Sequence, residues 1–138
     1  MASIDQFRFA IDEGVASGEL QSVDVPLFHY HTDNLYGRRV ILPAGSVLTS
    51  KVHKFDHITM ILSGHATIID EQGIKTEVRA PDMFVTKAGT QRVLLIHEDF
   101  DIATVHHCVE HDDDAMINLL GCDTMQEYNE MKLLEGAV

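Results

Sequence analysis

Between residues 38 and 107 the chain is a train of short apolar and β-branched runs, at 38–42, 46–52, 57–62, 66–69, 75–79, 83–86, 92–96 and 102–107. Turn-forming groups stand between them: Pro43-Ala44-Gly45, Lys54-Phe55-Asp56, Ser63-Gly64, Glu71-Gln72-Gly73, Ala80-Pro81-Asp82, Lys87-Ala88-Gly89 and Glu98-Asp99. Glycine and proline supply the backbone angles of sharp turns, and β-branched residues suit a pleated, half-buried surface. Strands this short, at such close intervals, leave no room for a long helix and predict an antiparallel sandwich or small barrel.

Helical spacing is confined to the two flanks. Ser3-Ile4-Asp5-Gln6 is a capping-box pattern, and Ile4, Phe7, Ile11 and Val15 follow on one face until Gly14 and Gly18 weaken the run. This predicts a short N-terminal helix packed on the outside of the strands. Asp123-Thr124-Met125-Gln126 is a second capping pattern, with Met125, Tyr128, Met131 and Leu134 at helical spacing behind it. The C-terminal helix it predicts closes the domain or a dimer interface. From Val23 to Tyr36 a loose alternation contains Pro26, which confines that strand to an edge, and Asp33-Asn34, a turn. His29 and His31 read as solvent-facing or hydrogen-bonded residues there. Glu110-His111-Asp112-Asp113-Asp114 is too acidic to bury and reads as a solvated loop.

With 138 residues and no linker, repeat or low-complexity tract, a single domain over 1–138 is expected. The formal charge of −12 argues against a grip on nucleic acid or an anionic membrane, because both need a basic footprint. An anionic ligand would therefore need a local basic pocket. Cys108 and Cys122 stand outside any metal or redox spacing and read as reduced thiols. With no apolar run of membrane-spanning length and no signal-peptide pattern, a cytoplasmic location is expected.

The chemistry centres on Gly45 to Gly64, where His53 and His57 flank the Lys54-Phe55-Asp56 turn between two β-rich arms. A histidine on each side of such a turn can bring two neutral nitrogens into one cavity, as a first-row metal ion requires. Strand alternation puts Thr104 and His106 on one face and Val105 and His107 on the other. Met60, Met83 and Phe84 read as core fillers, and His65 as a surface residue at a strand start.

The strand train and these residues resemble the cupin superfamily, small jelly-roll barrels, over about residues 36–107. The family's first motif, G-x5-H-x-H-x3or4-E-x6-G, is matched with Gly64 as the closing glycine and His53 as the second histidine. His57 stands in the glutamate's place, Lys51 in the first histidine's, and Gly45 lies one residue beyond the opening glycine. In the second motif, G-x5-P-x-G-x2-H-x3-N, Gly89 is kept, Arg92 stands at the ligand position and Ile96 at the asparagine. The combination of PAGS, VHKFDH, KAGTQR, HED and TVHH is similar to short stand-alone cupins of tailed bacteriophages and bacteria.

The resemblance implies a barrel-mouth site that binds or turns over a small molecule. With His106 inward, His53, His57 and His106 would make a three-nitrogen set for Fe, Ni, Mn or Zn, with open positions for substrate. His97 is a weaker candidate, expected near the rim beside a carboxylate. Lys51 and Arg92 favour a different chemistry: a metal-free pocket for a carboxylate or phosphate, with His53 or His57 as general base, as in cupin-like sugar-nucleotide epimerases. A homodimer, as a scaffold alone, would leave the inward His/Lys/Arg cluster unexplained.

Overall fold

The computed structural model describes residues 3–136. The N-terminal helix α1 (Ile4–Ser17) is started by the expected capping box, with Ser3 and Gln6 each accepting from the other's backbone N–H, and is ended by Gly18 in the left-handed region. The strands follow as β1 (Leu27–His31), β2 (Leu35–Leu42), β3 (Val47–Thr49), β4 (Val52–His53), β5 (His57–Ile69), β6 (Lys75–Arg79), β7 (Asp82–Thr86) and β8 (Val93–His107). Then come α2 (Asp113–Leu120), β9 (Gly121–Cys122) and α3 (Met125–Gly136). All strand pairings are antiparallel, and β1 lies at an edge, as Pro26 required.

Two expected turns are absent. Ser63-Gly64 and Glu98-Asp99 lie inside the long strands β5 and β8, which run beside each other and bend at the same level. From the pair Ile61↔Ile102 to the pair Ala66↔Ile96, β5 advances five residues and β8 six, so the ladder is interrupted by bulges. Gly64 makes the bend possible. Its φ is 98°, and a β-carbon there would overlap the Asp99 carbonyl.

The bend turns one sheet into two facing walls. The first wall runs β1-β2-β8-β5-β7 through the early half of β5 and the late half of β8; the second runs β3-β8-β5-β6 through the other halves. Leu42, Ile61 and Phe100 from the first pack against Ala66, Ile68, Val78, Leu94 and Ile96 of the second, forming the main core. Ile61 is 1% exposed, and burying such a side chain contributes roughly 1.5–3 kcal/mol. On the outside of the second wall, Ile4 and Phe7 of α1 cover Val47, Ile69, Val93 and Leu95.

Three other expectations need correction. The acidic run is a loop only through Asp112: its carboxylate accepts from the Ala115 N–H and starts α2, which takes in the last two residues of the run and whose Met116 is fully buried with Tyr36 and Cys108. Met83 is 67% exposed and fills no core, whereas Phe84 does pack on it. The α3 stripe closes the domain only in part, since Tyr128 lies against Gly89 while Leu134 is exposed. Cys108 and Cys122 are free thiols, and among the described residues no helix is long and apolar enough to cross a membrane.

The bend can be tested against a second glycine of similar φ. Gly45 has φ 85° with open space around its missing side chain, so Gly45→Ala bears the left-handed cost alone, roughly 1–2 kcal/mol. Gly64→Ala adds the overlap with Asp99 and is expected to lower the urea-unfolding free energy by more. Equal losses would show that close approach at the bend does not matter.

Candidate functional site

The three candidate imidazoles meet at one end of the barrel. His53 lies in β4, held by its backbone N–H to the Thr90 carbonyl at 3.1 Å and by the Gly89 N–H to its own carbonyl at 2.8 Å. The turn after it is fixed by the Asp56 carboxylate, which accepts from the Ala88 N–H at 2.7 Å. His57 opens β5 and His106 lies near the end of β8, 5% and 8% exposed. Ring centroids are 4.5 Å apart for His53 and His57 and 4.3 Å for His57 and His106. As alternation required, Thr104 shares the face of His106, their Oγ1 and Nε2 being 2.9 Å apart.

Burial disfavours the charged imidazoles, and so do their cationic neighbours. Burial first, then His57, Arg92 and Arg38, lowers His53 to about 4. Burial first, then His57, His53 and Arg38, lowers His106 to about 3. His57 is also lowered, chiefly by burial, against the opposing pull of the Phe55 carbonyl and the Asp56 carboxylate. All three rings are therefore neutral near pH 7.

Behind the rings lies a cavity of about 390 Å³, within the range of small-molecule sites. Val40, Leu42, Phe84, Leu94 and Ile102 give it an apolar floor, and Met116, Ile117 and Leu120 of α2 cap its mouth. The cap is tied down by pairing of β4 with β9 and by the Lys54 N–H to the Leu120 carbonyl at 2.8 Å. Arg38, Lys51 and Arg92 line the cavity, and among the described residues no aspartate or glutamate does. Among the described residues neither arginine pairs with a carboxylate. Lys51 differs, since its ammonium lies 2.6 Å from Asp123 on a half-exposed surface. A smaller hollow of about 260 Å³ beside β6 shares Arg92 but carries Asp70, Glu77 and Asp82 and no histidine, so the larger cavity is the better candidate.

Arg38 and the α2 cap escaped the sequence reading. Arg38 shares the parity of Tyr36, Val40 and Leu42 along β2, which would have placed it inward. The missed cap was signalled by Asp112 standing three residues before Ala115, ahead of Met116 and Ile117.

His97 and His65 lie elsewhere, on the outer face of the second wall. His65 Nε2 is 2.5 Å from Glu77 Oε2, and His97 Nε2 is 2.6 Å from Thr67 Oγ1. Among the described residues, His65, Glu77 and His97 are the group that could hold a metal ion with ligand atoms all within 4.8 Å of one another, and the mouth trio does not meet that spacing.

No family model and no curated protein matches the chain. Solved structures do. A cupin superfamily protein from Desulfitobacterium hafniense is 14% identical, with 64% of this chain and 82% of that one covered, at a TM-score of 0.53. KdgF from Halomonas sp. is 22% identical, with 69% and 90% covered, at 0.54. Salicylate 1,2-dioxygenase from Pseudoaminobacter salicylatoxidans, solved with gentisate, is 15% identical at 0.53; the match covers 73% of this chain and 31% of that longer one.

The lowered pKa values set a pH dependence. Between about 6.5 and the folded values, the unfolded chain takes up protons that the folded rings refuse, so stability is full above that window and falls with pH inside it. Each ring contributes a slope of up to ~1.4 kcal/mol per pH unit. His106→Gln is expected to flatten the fall of urea-unfolding free energy between about pH 6 and pH 4. An unchanged slope would contradict neutral burial of that ring.

Proposed function

With the cupin fold as the premise, we propose that the barrel cavity binds a small anionic molecule with an apolar body, its carboxylate or phosphate held by Arg92 and Arg38. The observation that carries this is the charge of the lining: among the described residues it holds cations and neutral imidazoles without a carboxylate, in a chain of net charge −12. Two guanidinium groups at the cavity wall, neither in an ion pair with a carboxylate among the described residues, leave planar forks of N–H donors that suit a carboxylate or phosphate. The dioxygenase with the same fold was solved with gentisate, itself a carboxylate. Lys51, engaged by Asp123, plays a lesser part than its motif position suggests.

The histidines extend the proposal to catalysis. A neutral imidazole next to a bound anion is a proton acceptor, so in this reading His57, with His53 beside it, would act as general base in an isomerase- or epimerase-like proton transfer. Arg92 and Arg38 would stabilise the negative charge that such a transfer builds on the substrate.

A second reading, a divalent metal (Fe, Ni, Mn or Zn) held by His53, His57 and His106, is favoured by their mutual contact and neutrality. The donor type fits such an ion. The spacing of the nitrogens and the nearby guanidinium groups do not, so the rings would have to turn toward one another. A homodimer is proposed as well. Ile58 with Val85, and Met60 with Met83, are register partners on a sheet face where Ile58, Val85 and Met83 remain exposed, a surface a second copy would cover. Two free thiols suit the reducing cytoplasm.

Screening small carboxylates and phosphorylated sugars by thermal shift tests the anion site. A true ligand at a hundredfold excess over its Kd is expected to raise the parent Tm by roughly 5–10 °C. Arg92→Ala and Arg38→Ala are each expected to weaken its Kd by roughly 10–100-fold. Binding unaffected by both substitutions would remove the proposal. Light scattering should give twice the 15.4 kDa chain mass, and a monomer would end the dimer proposal.

A further inference from the structure

The outer face of the second wall carries a side-chain cluster that the cavity does not use. Thr67 and Glu77 are register partners across β5 and β6, and His65 lies two residues along the same face of β5. His97 comes from the irregular stretch of β8 between the pairs His65↔Glu98 and Ala66↔Ile96. The bend in the two long strands therefore brings residues from three strands to one spot.

From this juxtaposition we propose that His65, Glu77 and His97 form a Zn(II) site on the outside of the barrel, separate from the mouth. Two imidazoles and one carboxylate are a ligand set that zinc accepts, with the fourth position left to water. Their ligand atoms already lie within 4.8 Å of one another, and the histidine rings are 4.7 Å apart. The site is accessible yet held. Glu77 opens to solvent, with its side chain 58% exposed, while His65 is 14% exposed. Thr67, 5% exposed, donates its hydroxyl to Glu77 Oε1 at 2.6 Å and also touches His97. In the metal-bound state Thr67 keeps its bond to the carboxylate, orienting it without touching the ion, a role typical of the residues behind metal ligands.

Metal entry requires two rearrangements. The proton between His65 Nε2 and Glu77 Oε2 leaves to solvent, and the ion takes its place between nitrogen and oxygen. His97 Nε2 donates its proton to Thr67 Oγ1, because the one hydroxyl proton goes to Glu77; that proton passes to Nδ1 by way of solvent, and the freed Nε2 turns to the ion. The bound ion would tie β5, β6 and β8 together beside the patch that α1 covers. The ligands have a geometric origin in the bend and are distinct from the three mouth histidines, so this site stands or falls independently of the cavity proposal.

The test is zinc titration of the full chain against a chromophoric chelator at neutral pH. One equivalent is expected to bind, and His65→Ala and His97→Ala are each expected to weaken its affinity at least ~10-fold. Thr67→Val, which keeps the shape and removes the hydroxyl, should weaken it by roughly 10-fold without abolishing it. The paired variant His53→Ala, His57→Ala should leave it unchanged. Zinc should also raise the Tm of the parent and of that mouth variant but not of His97→Ala, a readout that separates ligation from misfolding. The proposal is overturned if no equivalent binds, if His65→Ala and His97→Ala bind as the parent does, or if the mouth variant alone loses the ion.

Discussion

The bend that β5 and β8 share, with Gly64 in the left-handed region and its missing side chain facing the Asp99 carbonyl, is the constraint on which the architecture depends. A straight ladder of this length would be one open sheet with a solvated face. Bent, the same strands supply both walls and close over a core drawn from each. The bend also keeps Thr59, His57 and His106 on the inside of the first wall while Ala66 and Ile68 face inward on the second. On the outside, it brings His97 up to His65 and Glu77.

Electrostatics then divides the molecule. Acidic groups are spread over the surface, where water solvates them, and among the described residues the charged side chains that line the cavity are Arg38, Lys51 and Arg92, beside neutral imidazoles and an apolar floor. Desolvation pushes His53 and His106 far below neutrality, so these rings present lone pairs at ordinary pH. Arg38 and Arg92 cannot lose their protons and are left to find a negative partner. A histidine metal site and an arginine anion site compete for the same space, since a guanidinium repels a dication and attracts an anion. The unconverged nitrogens of the trio tilt that competition toward the anion.

Much of the fold was legible in the sequence because turn chemistry and β-branched runs are local signals. The edge position of β1 and the capping box of α1 came directly from Pro26 and from Ser3 with Gln6. The errors were of another kind. Ser63-Gly64 looks like a turn because a glycine at positive φ serves a bulge as well as it serves a hairpin, and the choice is made by the partner strand. At the mouth, His53, His57 and His106 could be grouped from motif register and strand parity, and Arg92 from the second motif. Arg38 was legible by parity but carried no motif. The engagement of Lys51 by Asp123 depends on α3 and β9 folding back over β4, a contact that spans 72 residues.

The central claim is that the cavity holds an anion at its arginines. The most direct measurement is a crystal structure of the protein soaked with 4-bromobenzoate, with the bromine located by anomalous scattering. The account predicts the carboxylate on Arg92 or Arg38 and the bromine among Val40, Phe84 and Ile102, inside the cavity capped by α2. Bromine found only outside the barrel, with the arginines bound to protein carboxylates instead, would contradict it.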